Sequence, residues 1–160
     1  LCGIEDSGHI VLPAPHPQTA HAWSLVGDGA ATLCAVLMAS GKELETPYVR
    51  GWKQRRSIQD SHRERWQADT ALFATTQQVI FQRIKHLGFA PKKRSISGEE
   101  HLLLVHGTAP DGAVSIGVRN SGTQAKTSLS VRLSVGVDPK PFEQLMDEII
   151  HDLTVALTTP

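Results

Sequence analysis

Nine consecutive residues, Val118-Arg119-Asn120-Ser121-Gly122-Thr123-Gln124-Ala125-Lys126, gather the groups that hold a dianionic phosphate. Arg119 offers a planar fork of N–H donors, and Lys126 adds a point charge. Ser121 and Thr123 offer hydroxyls, and Asn120 is a weaker candidate beside them. Gly122 has no Cβ to keep backbone N–H groups away from a ligand. The same residues also suit an ordinary polar hairpin loop. A second segment, Gly3-Ile4-Glu5-Asp6-Ser7-Gly8-His9, brings a carboxylate, a hydroxyl and an imidazole together just before an apolar run. Glu5 can accept hydrogen bonds from vicinal sugar hydroxyls, Ser7 can donate or accept, and His9 can pass a proton near neutral pH. A solvated N-terminal loop is the alternative reading.

The elements around these segments follow from periodicity. Val114, Ile116 and Val118 alternate with small residues, and Leu129, Val131, Leu133 and Val135 alternate with Ser130, Arg132 and Ser134. Both are half-buried strands, so the phosphate-type segment is a loop at one end of a sheet. Leu102 to Val105 is a further strand, and Tyr48 to Ser57 is a charged first strand. Helical spacing marks residues 68–87, closed by Gly88. A final helix follows Asp138 as cap, with Phe142, Leu145, Met146, Ile149, Leu153 and Leu157 on one side. Short polar turns such as Ala109-Pro110-Asp111-Gly112 pair the strands antiparallel. The expectation is an α+β fold, an antiparallel sheet covered by two helices. Upstream, Ile10-Val11-Leu12 is a short strand, and three prolines make Pro13 to Ser24 a loop. A helix over Gly29 to Ser40, capped by Asp28, is apolar nearly all round. Residues 1–28 supply too little to bury it, which points to missing neighbouring structure and to self-association of the isolated chain.

Three of these segments together carry a resemblance. G-I-E-D-S-G-H at Gly3 to His9, G-D-G at Gly27 to Gly29 and R-N-S-G-T at Arg119 to Thr123 stand in the order found in the C-terminal part of the α-D-phosphohexomutases. That family comprises the phosphomannomutase/phosphoglucomutase and phosphoglucosamine mutase enzymes. The resemblance implies that residues 1–45 end the sugar-binding third domain, a fragment of an α/β domain. It makes 46–66 a linker with the first strand, and 67–160 the phosphate-binding fourth domain, similar to the TATA-binding-protein fold. It implies an isomerase that interconverts hexose 1-phosphate and hexose 6-phosphate through a phosphoserine. Glu5 and Ser7 would hold sugar hydroxyls, and His9 would be catalytic or a hydroxyl contact. Arg119, Asn120, Ser121, Gly122 and Thr123 would hold phosphate. Gln124-Ala125 stands where the family usually has Glu-Pro. The family's phosphoserine loop and its Asp-rich Mg2+ loop are not found here. The donor and the Mg2+ ligands would therefore belong to the remaining domains of the parent enzyme, the family also implies a glucose 1,6-bisphosphate-type activator, and the chain alone is expected to be inactive.

Composition sets outer limits. In 160 residues, 16 Lys and Arg meet 16 Asp and Glu, which argues against bulk electrostatic coating of nucleic acid. The basic stretch Arg50 to Arg65, with Trp52 and Trp66 interleaved, is a weaker case for single-stranded nucleic acid. A non-catalytic phospho-ligand or protein-binding module is the other alternative. No apolar run suits a membrane span, and no basic-then-apolar leader opens the chain, so a cytoplasmic setting is expected. The absence of an initiator Met suggests a chain cut from something longer. Cys2 and Cys34 read as isolated thiols. His16 and His21 lack metal-site spacing, so no metal site is expected in this chain.

Overall fold

The computed structural model describes residues 3–4, 10–16, 18–27, 29–40 and 50–159. The chain forms two compact units, Leu1–Tyr48 and Val49–Pro160. In the first, β1 (Gly3–Ile4), β2 (Ile10–Pro15) and β3 (Trp23–Gly27) form an antiparallel sheet in that order, followed by α1 (Gly29–Ser40). The predicted Pro13–Ser24 loop is thus shorter than expected, since Pro13 pairs with Leu25 and Pro15 with Trp23. The prolines break no bond to β3, because His16 N donates to Ala22 O and the alternation of the ladder then turns the nitrogens of Pro13 and Pro15 away from that strand. Helix α1 exposes Leu33, Val36, Leu37 and Met38, the last 86% accessible. Its predicted cap, Asp28, lies outside the described residues, as do Glu5, Ser7 and His9.

The second unit is an α+β fold with a five-stranded antiparallel sheet. Its strands are β4 (Lys53–Gln59), β5 (Ala90–Arg94), β6 (Leu103–Ala109), β7 (Gly112–Asn120) and β8 (Lys126–Leu133), in spatial order β4-β8-β7-β6-β5. Helices α2 (Ala71–His86) and α3 (Lys140–Thr158) cover one face. The register puts Leu103, Val105, Val114, Ile116, Val118, Leu129 and Val131 beneath them, all buried. Strand β5 escapes the sequence pattern because it is an edge strand, A-P-K-K-R, with little to bury. Val135 is exposed rather than the end of β8.

Local chemistry sets the helix ends. Thr70 caps α2, its Oγ1 accepting from Phe73 N at 3.3 Å. At the other end Gly88 adopts φ +87°, Phe89 N donates to Ile84 O and Gly88 N donates to Lys85 O. These two bonds are a Schellman closure, and they turn Phe89 into the core against Phe142. Helix α3 begins at Lys140, after Pro139, and not directly after Asp138. Asp138 still serves that end, because its Oδ1 accepts from Lys140 N. The pairs Arg56–Asp147 and Arg83–Glu148 tie α3 to β4 and α2. The Arg83 hydrogen bond holds the Glu148 carboxyl below its ordinary value.

Gly107 sits on the helix-covered face of the sheet with no room for a side chain. A Cβ there would lie 2.7 Å from Val114 Cγ1 and 2.9 Å from Phe89 Cβ. Gly107→Ala should therefore overpack the α2–sheet interface and destabilise the unit by about 1–3 kcal/mol, read as a lower urea midpoint. Gly122→Ala, with no atom within 4 Å of the added Cβ, should leave that midpoint unchanged.

Candidate functional site

The Arg119–Lys126 segment is the turn joining β7 to β8. Ser121 N donates to Lys126 O at 2.7 Å and Lys126 N to Gln124 O at 2.8 Å, which closes the turn. Thr123 N donates to Ser121 Oγ at 3.4 Å. The N–H groups of Gly122, Gln124 and Ala125 make no hydrogen bond among the described residues. Gly122 opens onto free space. These features leave three unbonded backbone donors in the turn, the type of group that anion sites use.

The tip is held from behind. Arg63, in the one-turn 3-10 helix Arg63–Arg65, donates from Nη1 to Ser121 O at 2.8 Å and to Gly122 O at 3.4 Å. The loop carbonyls are thereby drawn toward a cation. Asn120 holds the base of the turn. Its Nδ2 donates to Arg63 O at 3.0 Å and to Trp66 O at 3.1 Å, and its Oδ1 accepts from Thr127 Oγ1 at 2.8 Å. Thr127 in turn bonds the buried Ser61 hydroxyl at 2.9 Å. Asn120 is therefore committed to the scaffold, and its amide is not available to a ligand. Trp66 is fully buried against Phe73, and its indole N–H donates to His101 O at 3.0 Å.

Arg119 projects from the opposite face of β7, paired in register with Ser128. It lines a cleft with Glu99, Glu100, His101, Ser121 and Gly122. Its Nη2 lies 3.7 Å from Glu99 Oε1, an ion pair without a hydrogen bond. A neighbouring cleft is lined by Arg63, Glu64, Gln67, His101 and Asn120. His101 and Asn120 belong to both. His101 Nδ1 accepts from Ala68 N at 3.3 Å, so the proton of its neutral ring sits on Nε2, as a donor. The Glu64 carboxyl is held below its ordinary value, first by a hydrogen bond from its own backbone N–H and also by His62.

The structure thus brings Arg119, Ser121, Gly122 and Thr123 together at one tip. Glu5, Ser7 and His9 lie outside the described residues. Sequence reading missed Arg63, Glu99 and His101. Arg63 stands 58 residues from Ser121, and nothing in its local pattern marks the contact. Trp52 packs on the core and Trp66 is buried in it, so neither offers a stacking surface. Arg63 and Arg65 donate to backbone carbonyls. Cys34 is a free thiol. Among the described residues no three His, Cys, Asp or Glu side chains converge as metal ligands, and no helix is long and apolar enough to cross a membrane. Compared with models of known protein families and with curated proteins, the chain matches none.

The Asn120 junction is testable. Asn120→Asp replaces the amide donor that faces two carbonyls by a carboxylate. The variant should lose about 1–3 kcal/mol in urea unfolding, because the carbonyls of Arg63 and Trp66 then lose their donor and face a carboxylate.

Proposed function

We propose that the chain is the substrate-binding C-terminal portion of a phosphohexomutase, with the β7–β8 turn holding the phosphate of a hexose phosphate. The observation that carries this reading is the turn itself. Arg63 holds the carbonyls of Ser121 and Gly122, while the N–H groups of Gly122, Gln124 and Ala125 make no hydrogen bond and Arg119 lines a cleft with Ser121 and Gly122. Donors with Arg119 as a nearby planar cation suit a dianionic phosphate. The Ser121 and Thr123 hydroxyls add two more donors. On this reading Glu5 and Ser7 hold the sugar hydroxyls and His9 stands at the same end of the ligand. Phosphoryl transfer itself belongs to a phosphoserine and an Mg2+ site in the rest of the parent enzyme, and the isolated chain binds without turnover. The same reading carries a cytoplasmic setting, where sugar phosphates are handled.

Glu99 gives the reading a specific consequence. A phosphate arriving at Arg119 competes with the Glu99 carboxylate for the same guanidinium. Isothermal titration with mannose 1-phosphate or glucose 1-phosphate should show weak binding that is lost in Arg119→Ala and tightened several-fold in Glu99→Gln. Gly122→Ala should weaken binding at unchanged stability. Unchanged affinity in Arg119→Ala contradicts the assignment.

A further inference from the structure

The five strands of the second unit contain nine Lys and Arg and no Asp or Glu. Two of these cations face the helices, where Arg56 pairs with Asp147 and Lys93 lies 5.0 Å from the Phe73 ring centre. Strand register sends the other seven to the uncovered face. They are Lys53 and Arg55 on β4, Lys92 and Arg94 on β5, Lys126 and Arg132 on β8, and Arg119. Ser57, Ser115, Ser128 and Ser130 lie between them, with Arg55 Nη2 3.2 Å from Ser128 Oγ. Every acidic residue of residues 50–159 sits in a helix, a turn or a loop.

We propose that this face binds the phosphate backbone of double-helical DNA without reading its sequence. The ligand class follows from what the face has and lacks. None of the five strands contains a Phe, Tyr or Trp, and His106 is the one ring on this face, so a run of unpaired bases would lack a stacking platform. Leu104 is the one large apolar residue on the face, and it is half-buried. A protein partner would therefore find no aromatic or apolar anchor, whereas DNA interfaces are polar and strongly basic. The charge density fits as well. Five strands about 4.8 Å apart span about 19 Å, and a duplex carries about one charge per 1.7 Å of axis. About eleven phosphates then lie over the sheet, about half of them toward it, and the face carries seven cations. Protection of sheet edges explains Lys53, Arg55, Lys92 and Arg94 alone. It does not explain Lys126 and Arg132 on an inner strand, or the exclusion of acids from every strand.

The test uses the whole chain and a fluorescent mixed-sequence DNA duplex, followed by anisotropy. Binding should weaken on the order of a thousandfold between roughly 50 and 200 mM salt. Lys53→Gln with Arg55→Gln, and separately Lys92→Gln with Arg94→Gln, should each flatten that salt dependence by about two phosphates' worth. All these positions are exposed, and the thermal midpoint checks that each variant is folded. Gly122→Ala should bind the duplex as the parent does while its sugar-phosphate affinity weakens, which separates this surface from the turn. The proposal is overturned if neither double variant changes duplex binding. It is also overturned if a single strand of the same sequence binds more tightly, or if polyglutamate binds as tightly as the duplex.

Discussion

One carboxamide holds the β7–β8 end of the sheet together. Asn120 joins the carbonyls of Arg63 and Trp66 to the hydroxyl of Thr127, three points distant in sequence. A side-chain amide offers two donors and an acceptor in one plane, and here all three roles are filled. The junction fixes the segment before α2 against the β7–β8 turn. That fixing places the Arg63 guanidinium on the loop carbonyls and the Trp66 indole N–H on His101 O. Without it the loop would keep its sequence and lose its orientation. A phosphate-type loop depends on orientation, because donors preorganised for charge need no reordering when a ligand arrives.

Charge is the second organising constraint, and composition hides it. The formal charge is zero over the chain, yet residues 49–160 carry fifteen Lys and Arg against eleven Asp and Glu, and residues 1–48 carry one against five. Within the sheet unit the separation is sharper, since the strands hold cations only. A net-charge argument averages over these surfaces and so excludes less than it seems to. What matters for an anion is the local field of one face.

Much of the fold was legible in the chain. The alternation at Val114–Val118 and Leu129–Leu133 sets two central strands, and helical spacing marks α2 and α3, because each buries one face and leaves the other wet. Edge elements were not legible. Strand β5 buries little, and β2 carries prolines whose nitrogens the ladder turns away from β3. The site divides the same way. Arg119, Ser121, Gly122 and Thr123 are contiguous and chemically distinctive. Arg63, Glu99 and His101 act through tertiary contacts, which no local pattern reports. Asn120 shows the limit most clearly, for its residue type suits a ligand and its geometry serves the scaffold.

The central claim is that the open N–H groups of the β7–β8 turn receive a phosphate. Backbone amide chemical shifts recorded during titration with mannose 1-phosphate test it most directly. The account predicts progressive shifts at Gly122, Gln124 and Ala125, with the Arg119 side chain moving in the same concentration range and the Asn120 side-chain amide unchanged. Shifts confined to other parts of the chain, with these three amides unmoved, would contradict it.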